Sequence, residues 1–141
     1  MDIAFYGSSL LSSYWNGAAT YYRGLLGALA GLGHTITFYE PDAFDRQAHR
    51  DIDPPAWARS VVYPATADAV RDVLAQAARA DVVMKASGVG VFDTELLAGI
   101  LQHARPGAVT CFMDVDAPAT LATVQADPSD PMHAALCGLD L

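Results

Sequence analysis

Asp2-Ile3-Ala4-Phe5-Tyr6-Gly7, then a loop bearing Ser and Gly from Ser8 to Gly17, then a helical pattern as far as Gly33, decides the fold. The near-continuous apolar run up to Gly7 suits a strand buried on both faces, as strands of parallel sheets are. In the helix, Tyr22, Leu25, Leu26 and Leu29 form one stripe at i, i+3, i+4 and i+7. Asn16 or Thr20 is placed to cap its start, and Gly33 to adopt the left-handed conformation beyond its end. Strand, loop and helix make the first βα unit of an α/β protein. The loop opens on the carboxyl edge of the sheet, where ligands of open parallel sheets bind beside the point at which strand order reverses.

The rest of the chain repeats that unit. A second strand covers Thr35 to Tyr39, stopped by Glu40-Pro41-Asp42. From Ala43 to Arg59 the pattern breaks into a charged run and Asp53-Pro54-Pro55, which fits a surface excursion or a short helix. A third strand follows at Ser60 to Tyr63, a helix at Asp68 to Ala80 and a fourth strand at Asp81 to Ala86. Asp93 then caps a helix through Ala104, and a fifth strand spans Ala108 to Met113. Short helices are expected at Ala119 to Gln125 and Pro131 to Leu136. This alternation predicts one α/β domain over residues 1–141: a Rossmann-like open parallel sheet of order 3-2-1-4-5, helices on both faces, right-handed crossovers. Leu139-Asp140-Leu141 reads as the first residues of a sixth strand, so a longer protein, truncated here, is the expectation.

Composition narrows the function. Apolar residues make up 52% and charged ones 17%, as in a globular chain. Eight Lys and Arg stand against sixteen Asp and Glu, a net charge of −8 that repels a phosphate polymer and argues against nucleic acid. An acid at position 2 and the lack of any long apolar run speak against a signal peptide or membrane span. Cys111 and Cys137 form no C-x-x-C, and a reduced, cytoplasmic protein is expected.

Candidate functional residues gather at predicted strand ends. The glycine fingerprint of dinucleotide-binding folds is absent, although Glu40 stands where such folds keep a ribose-binding acid. A loop as long as Ser8–Gly17 inside a compact domain is usually functional or disordered. Here Tyr14 and Trp15 offer flat apolar surfaces to a sugar or base, or Trp15 plugs the sheet edge, and Asn16-Gly17 presents amides at a helix start, where anions are favoured. Lys85 ends an apolar strand before Ser87-Gly88-Val89-Gly90, whose glycines free backbone N–H groups for a phosphate or carboxylate. Asp114 and Asp116 follow the fifth strand. Their D-x-D spacing can hold a divalent metal, or either can act through hydrogen bonds or as a general base, and the expectation is no metal. Of four histidines, His49 in the charged excursion is the one suited to a base. No G-x-S-x-G elbow or P-loop is present.

These residues carry a resemblance. Trp15-Asn16-Gly17-Ala18-Ala19-Thr20-Tyr21-Tyr22-Arg23-Gly24-Leu25-Leu26 and Gly31-Leu32-Gly33-His34-Thr35-Ile36-Thr37-Phe38-Tyr39-Glu40-Pro41 are similar to the amino-terminal domain of GT-B glycosyltransferases. So are Asp42-Ala43-Phe44-Asp45-Arg46-Gln47, Lys85 through Asp93, and Asp114-Val115-Asp116-Ala117-Pro118, which resemble the CgeB-like (spore-maturation protein) group. The resemblance implies two Rossmann-like domains with a cleft between them. The first mostly holds the acceptor and the second mostly a nucleotide-sugar donor, with no further cofactor and usually no metal. It implies that Ser8, Ser9, Asn16 and Gly17 form the cleft loop, facing the donor's phosphates, with Trp15 beside them. Lys85, Ser87, Gly88 and Gly90 would form the neighbouring wall, and Asp114, Asp116 or His49 would supply the base. The second domain is not in this sequence, so activity would need a longer chain. A truncated sheet edge left open would pair copies into a homodimer. The rival reading is a standalone α/β module that binds a nucleotide or metabolite without chemistry.

Overall fold

The computed structural model describes residues 1–140. Five parallel strands, β1 (Asp2–Tyr6), β2 (Thr35–Asp42), β3 (Ala58–Pro64), β4 (Val82–Ala86) and β5 (Val109–Met113), lie in the order β3-β2-β1-β4-β5. The expected Rossmann-like sheet is therefore present. Its switch point falls between β1 and β4, where the chain leaves β1 leftward for β2 and later returns to the right.

Pleating sorts the strand residues onto two faces, each covered by helices. Ile3 and Phe5 of β1 and Ile36 and Phe38 of β2 pack on Tyr22 and Leu26 of helix α1 (Ala18–Gly31). The Phe5 and Phe38 rings stack at 5.2 Å. On the opposite face Ala4, Tyr6, Tyr39 and Tyr63 meet Val70, Val73 and Leu74 of α2 (Ala67–Ala77) and Leu96, Leu97 and Ile100 of α3 (Asp93–His103). The buried Tyr6 hydroxyl donates to the Val73 carbonyl at 2.9 Å, tying the central strand to α2. Two short helices, α4 (Ala117–Ala126) and α5 (Pro131–Leu136), end the described chain.

Several boundaries differ from expectation for physical reasons. β2 continues through Glu40-Pro41 to Asp42 instead of stopping at Tyr39. The Gly7 N–H donates to the Tyr39 carbonyl at 3.1 Å, so residues 39 and 41 turn their backbone toward β1, which has already ended at Tyr6. The N–H that Pro41 lacks had no ladder partner to lose. β3 gains Ala58 and Arg59 by pairing with Ile36 and Thr37. Thr66 caps α2 by accepting from Ala69 N–H, and that helix ends at Ala77 rather than Ala80 because the Ala80 N–H turns back to the Ala77 carbonyl. The excursion after β2 contains a 3₁₀ turn at Arg46–His49. Asp140 is not in a strand, although its N–H donates to the Thr110 carbonyl at 2.9 Å and its carboxylate accepts from the Thr110 N–H at 2.7 Å. Leu141, the last residue of the expected sixth strand, lies outside the described residues.

Candidate functional site

Where β1 ends, the chain enters the Ser8–Gly17 loop, and two polar side chains fold that loop into a closed structure. Glu40, wholly buried, accepts from the Leu10 N–H at 2.5 Å, the Leu11 N–H at 3.3 Å, the Ser9 hydroxyl at 3.1 Å and Gln47 Nε2 at 2.6 Å. Asn16 Oδ1 accepts from the Ser8 hydroxyl at 2.8 Å, while its Nδ2 donates to the carbonyls of Ser9 and Ser12, both at 3.0 Å. Asn16 thus knits the loop and does not cap α1; Gly17 occupies the cap position, with no side-chain bond to the helix. Outside, Arg23 donates to the Leu10 carbonyl at 2.8 Å and grips both Asp51 oxygens, and Asp51 accepts from Ser13. These bonds from Arg23 and Ser13 hold the Asp51 carboxyl well below the usual carboxylate range.

The packed loop forms one wall of a cleft of about 740 Å³ at the carboxyl edge, beside the switch point. Ser8, Trp15, Asn16 and Gly17 line that wall, Ser87 and Gly88 after β4 the second, and Met113 at the end of β5 with Asp114 and Val115 the third. Tyr22 and Arg46 form part of the lining as well. Ala18 and Gly17 place the uncapped first turn of α1 at the same opening. Trp15 is 85% exposed, and its φ of 46° is left-handed, as is the φ of 56° at Phe44. Such backbone costs about 1–2 kcal/mol for a bulky residue and persists where the surroundings impose it.

Asp114 is the carboxylate in the cleft. Burial pushes its pKa up, but hydrogen bonds from Thr120, the Asp116 N–H and Ser87, with the charge of Lys85, outweigh that and hold it below the ordinary value. Asp116 is exposed, and its N–H donates to Asp114 Oδ1 at 2.9 Å, so it braces Asp114 through its backbone while its own side chain stays outside the cleft.

The remaining sequence candidates stand elsewhere. Ser9 is fully buried behind the wall, on Glu40. Lys85 lies on the far face of the sheet, 2% exposed, with Nζ 2.6 Å from Asp93 and 5.3 Å from the centre of the Phe112 ring. Burial pushes its pKa down and Asp93 pulls it back up. Asp93 does not cap α3; it accepts from the Val89 and Gly90 N–H groups and from Lys85, fastening the loop to the helix start. That consumes two of the backbone donors the glycine loop had to offer. Gly90, with φ +98°, lies against Phe44, where a Cβ would stand 2.8 Å from the ring. His49 is exposed, its ring stacked on Tyr14 at 4.0 Å and its Nδ1 2.9 Å from the Asp45 carbonyl.

Nothing local in the sequence marks Arg46 and Tyr22 as cleft residues. Arg46 sits in a charged run that reads as solvated surface, yet it is 7% exposed, with Nη1 donating to the Ser8 carbonyl at 3.2 Å and the Val89 carbonyl at 3.3 Å. Tyr22 belongs to the apolar stripe of α1, and the stripe hides that the residue also lines the cleft. Among the described residues, no group of three or more His, Cys, Asp or Glu could hold a metal ion, and no helix is long and apolar enough to cross a membrane. Compared with protein-family models, with curated proteins and with solved structures, the chain finds no match.

Proposed function

We propose that this domain is the acceptor-side half of a nucleotide-sugar-dependent GT-B glycosyltransferase, cytoplasmic and without affinity for nucleic acid. The observation that carries the reading is the cleft at the β1–β4 switch point with Asp114 in its wall. A hydroxyl acceptor needs a base within hydrogen-bond reach, and an ionised carboxylate whose other contacts fix its direction meets that need. The resemblance carried by residues 15–26, 31–47, 85–93 and 114–118 supports the same reading. The donor nucleotide-sugar would be held mostly by a second domain, and Asp114 would take the acceptor proton as the glycosyl bond forms.

The test uses the full-length gene product and a panel of nucleotide-sugars, with release of nucleoside diphosphate as readout. Asp114→Asn is expected to lower kcat by about 10²–10⁴-fold with KM little changed, the range for loss of general-base catalysis. An unchanged kcat removes Asp114 from the chemistry. A reading frame that continues past Leu141 into a second strand-loop-helix series is expected as well.

Arg46 favours a second reading, a binding module without chemistry, because a cation without a carboxylate partner in a one-domain cleft is already equipped to bind. Measurable affinity of these 141 residues alone for a nucleotide would support it.

A further inference from the structure

Arg46 is the one guanidinium lining the cleft, and its state is unusual. Among the described residues the ion pairs engage Arg23, Arg71, Lys85 and Arg105, and none engages Arg46. Its Nη1 is spent on two backbone carbonyls, while Nε is buried with no hydrogen-bond partner. The Tyr22 hydroxyl, on a side chain of zero exposure lining the same cleft, has Ser8 beside it but makes no hydrogen bond of good geometry. Leaving a buried donor unmade is costly, and a cation more so than a neutral group. The first turn of α1, a helix of 14 residues, opens on the same space with no side-chain cap. Arg46, Tyr22 and the start of α1 therefore gather positive potential and spare donors around one cleft, and an oxyanion is the ligand such a surrounding favours.

The opposite wall supplies the counterpart. Asp114 repels an anion and accepts from a hydroxyl or amine, so the cleft is polarised from Arg46 toward Asp114. We infer that the ligand of this cleft is an acidic polyol, with a carboxylate or phosphate group bound by Arg46, Tyr22 and the α1 amides and a hydroxyl directed to Asp114. The inference rests on the cleft being the acceptor site and names the acceptor's class: a sugar acid or a sugar phosphate rather than a neutral sugar.

Two pairs of probes isolate the charge: galacturonate against galactose, and glucose 6-phosphate against glucose. Each is titrated into the ¹⁵N-labelled chain and followed at the Arg46 Nε–H and the Gly17, Ala18 and Gly88 amides. The acidic member of at least one pair is expected to shift these resonances, and its neutral partner to bind at least about tenfold more weakly, as loss of a charge-assisted contact requires. Which pair responds separates carboxylate from phosphate. Arg46→Gln and Tyr22→Phe should each weaken the acidic probe more than its neutral partner. Should Arg46→Gln fail to fold, Tyr22→Phe and the wild-type Nε–H shift decide. Equal binding of acidic and neutral members overturns the inference while leaving a sugar site in place. No shift with any of the four overturns the inference without bearing on donor turnover, which is measured separately in the full-length protein.

Discussion

Glu40 shows how one residue can build a wall of a site without entering it. Its carboxylate is buried at the carboxyl end of β2 and takes four donors, two of them backbone N–H groups of the neighbouring loop. Those donors have no water to fall back on, since Leu10 and Leu11 are buried with them. Glu40→Ala removes every acceptor at once, and about 3 kcal/mol of stability should go with it, the cost of a few unsatisfied buried donors. Urea denaturation measures this as a lower midpoint at unchanged slope. A loss under about 1 kcal/mol would mean that the loop finds other acceptors and Glu40 does not organise it. The same loss should loosen Ser8 and Asn16, two of the loop residues that line the cleft.

Among the elements, β1 and α1 are joined by a loop whose departure point tolerates no side chain. A Cβ on Gly7 would stand 2.5 Å from Phe38 Cζ and 3.0 Å from Phe5 Cε1. Those rings are stacked on each other and flanked by Tyr22, so neither can turn aside. Gly7→Ala should therefore destabilise by about 1–3 kcal/mol through overpacking, read as a fall in Tm, and a neutral effect would show that the stack is free to shift. The element pattern was readable because the apolar runs of β1, β2, β4 and β5 and the 3.6-residue stripes of α1, α2 and α3 are strong and local. Strand order followed from crossover handedness, which leaves few alternatives. Trp15, Asn16 and Gly17 are legible as cleft-lining residues because loops at a switch point have a known place, and Asp114 because it follows a strand. What stayed hidden depends on long-range contacts. Arg46 lies 38 positions from Ser8 and 43 from Val89, the residues whose carbonyls it joins, and nothing local announces that. Lys85 has the composition of a ligand-binding residue, but pleating alone sends it to the far face, where Asp93 answers it.

For the whole molecule, the charge balance and the fold together set a pH response. The chain carries sixteen acids, and the fold lowers the pKa of Asp51, Asp81, Asp114, Asp127 and Asp140 through hydrogen bonds and nearby cations. For each, the folded pKa lies below the unfolded one, near 3.9 for an ordinary Asp, so the unfolded chain binds protons first as acid is added. The stability they supply is complete above the unfolded value and is lost as pH falls from about 5 through 4 toward the folded values. Release of negative self-repulsion works the other way, since protonation shrinks a charge of −8, but repulsion between exposed charges is screened by salt and the specific bonds are less so. In moderate salt the bonds should win, and Tm should hold roughly level down to about pH 5 and then drop. Asp51 tests the assignment, because its carboxylate holds Arg23 and Ser13 and through them the Ser8–Gly17 loop. Asp51→Asn should be less stable than the wild type at neutral pH, and the gap between the two melting curves should narrow steadily as pH falls below about 4, where the unfolded carboxyl takes up its proton before the folded one. A gap between the two that stays constant across the titration would place the acid sensitivity in other carboxylates and leave the Arg23–Asp51 clamp without a share in the acid response.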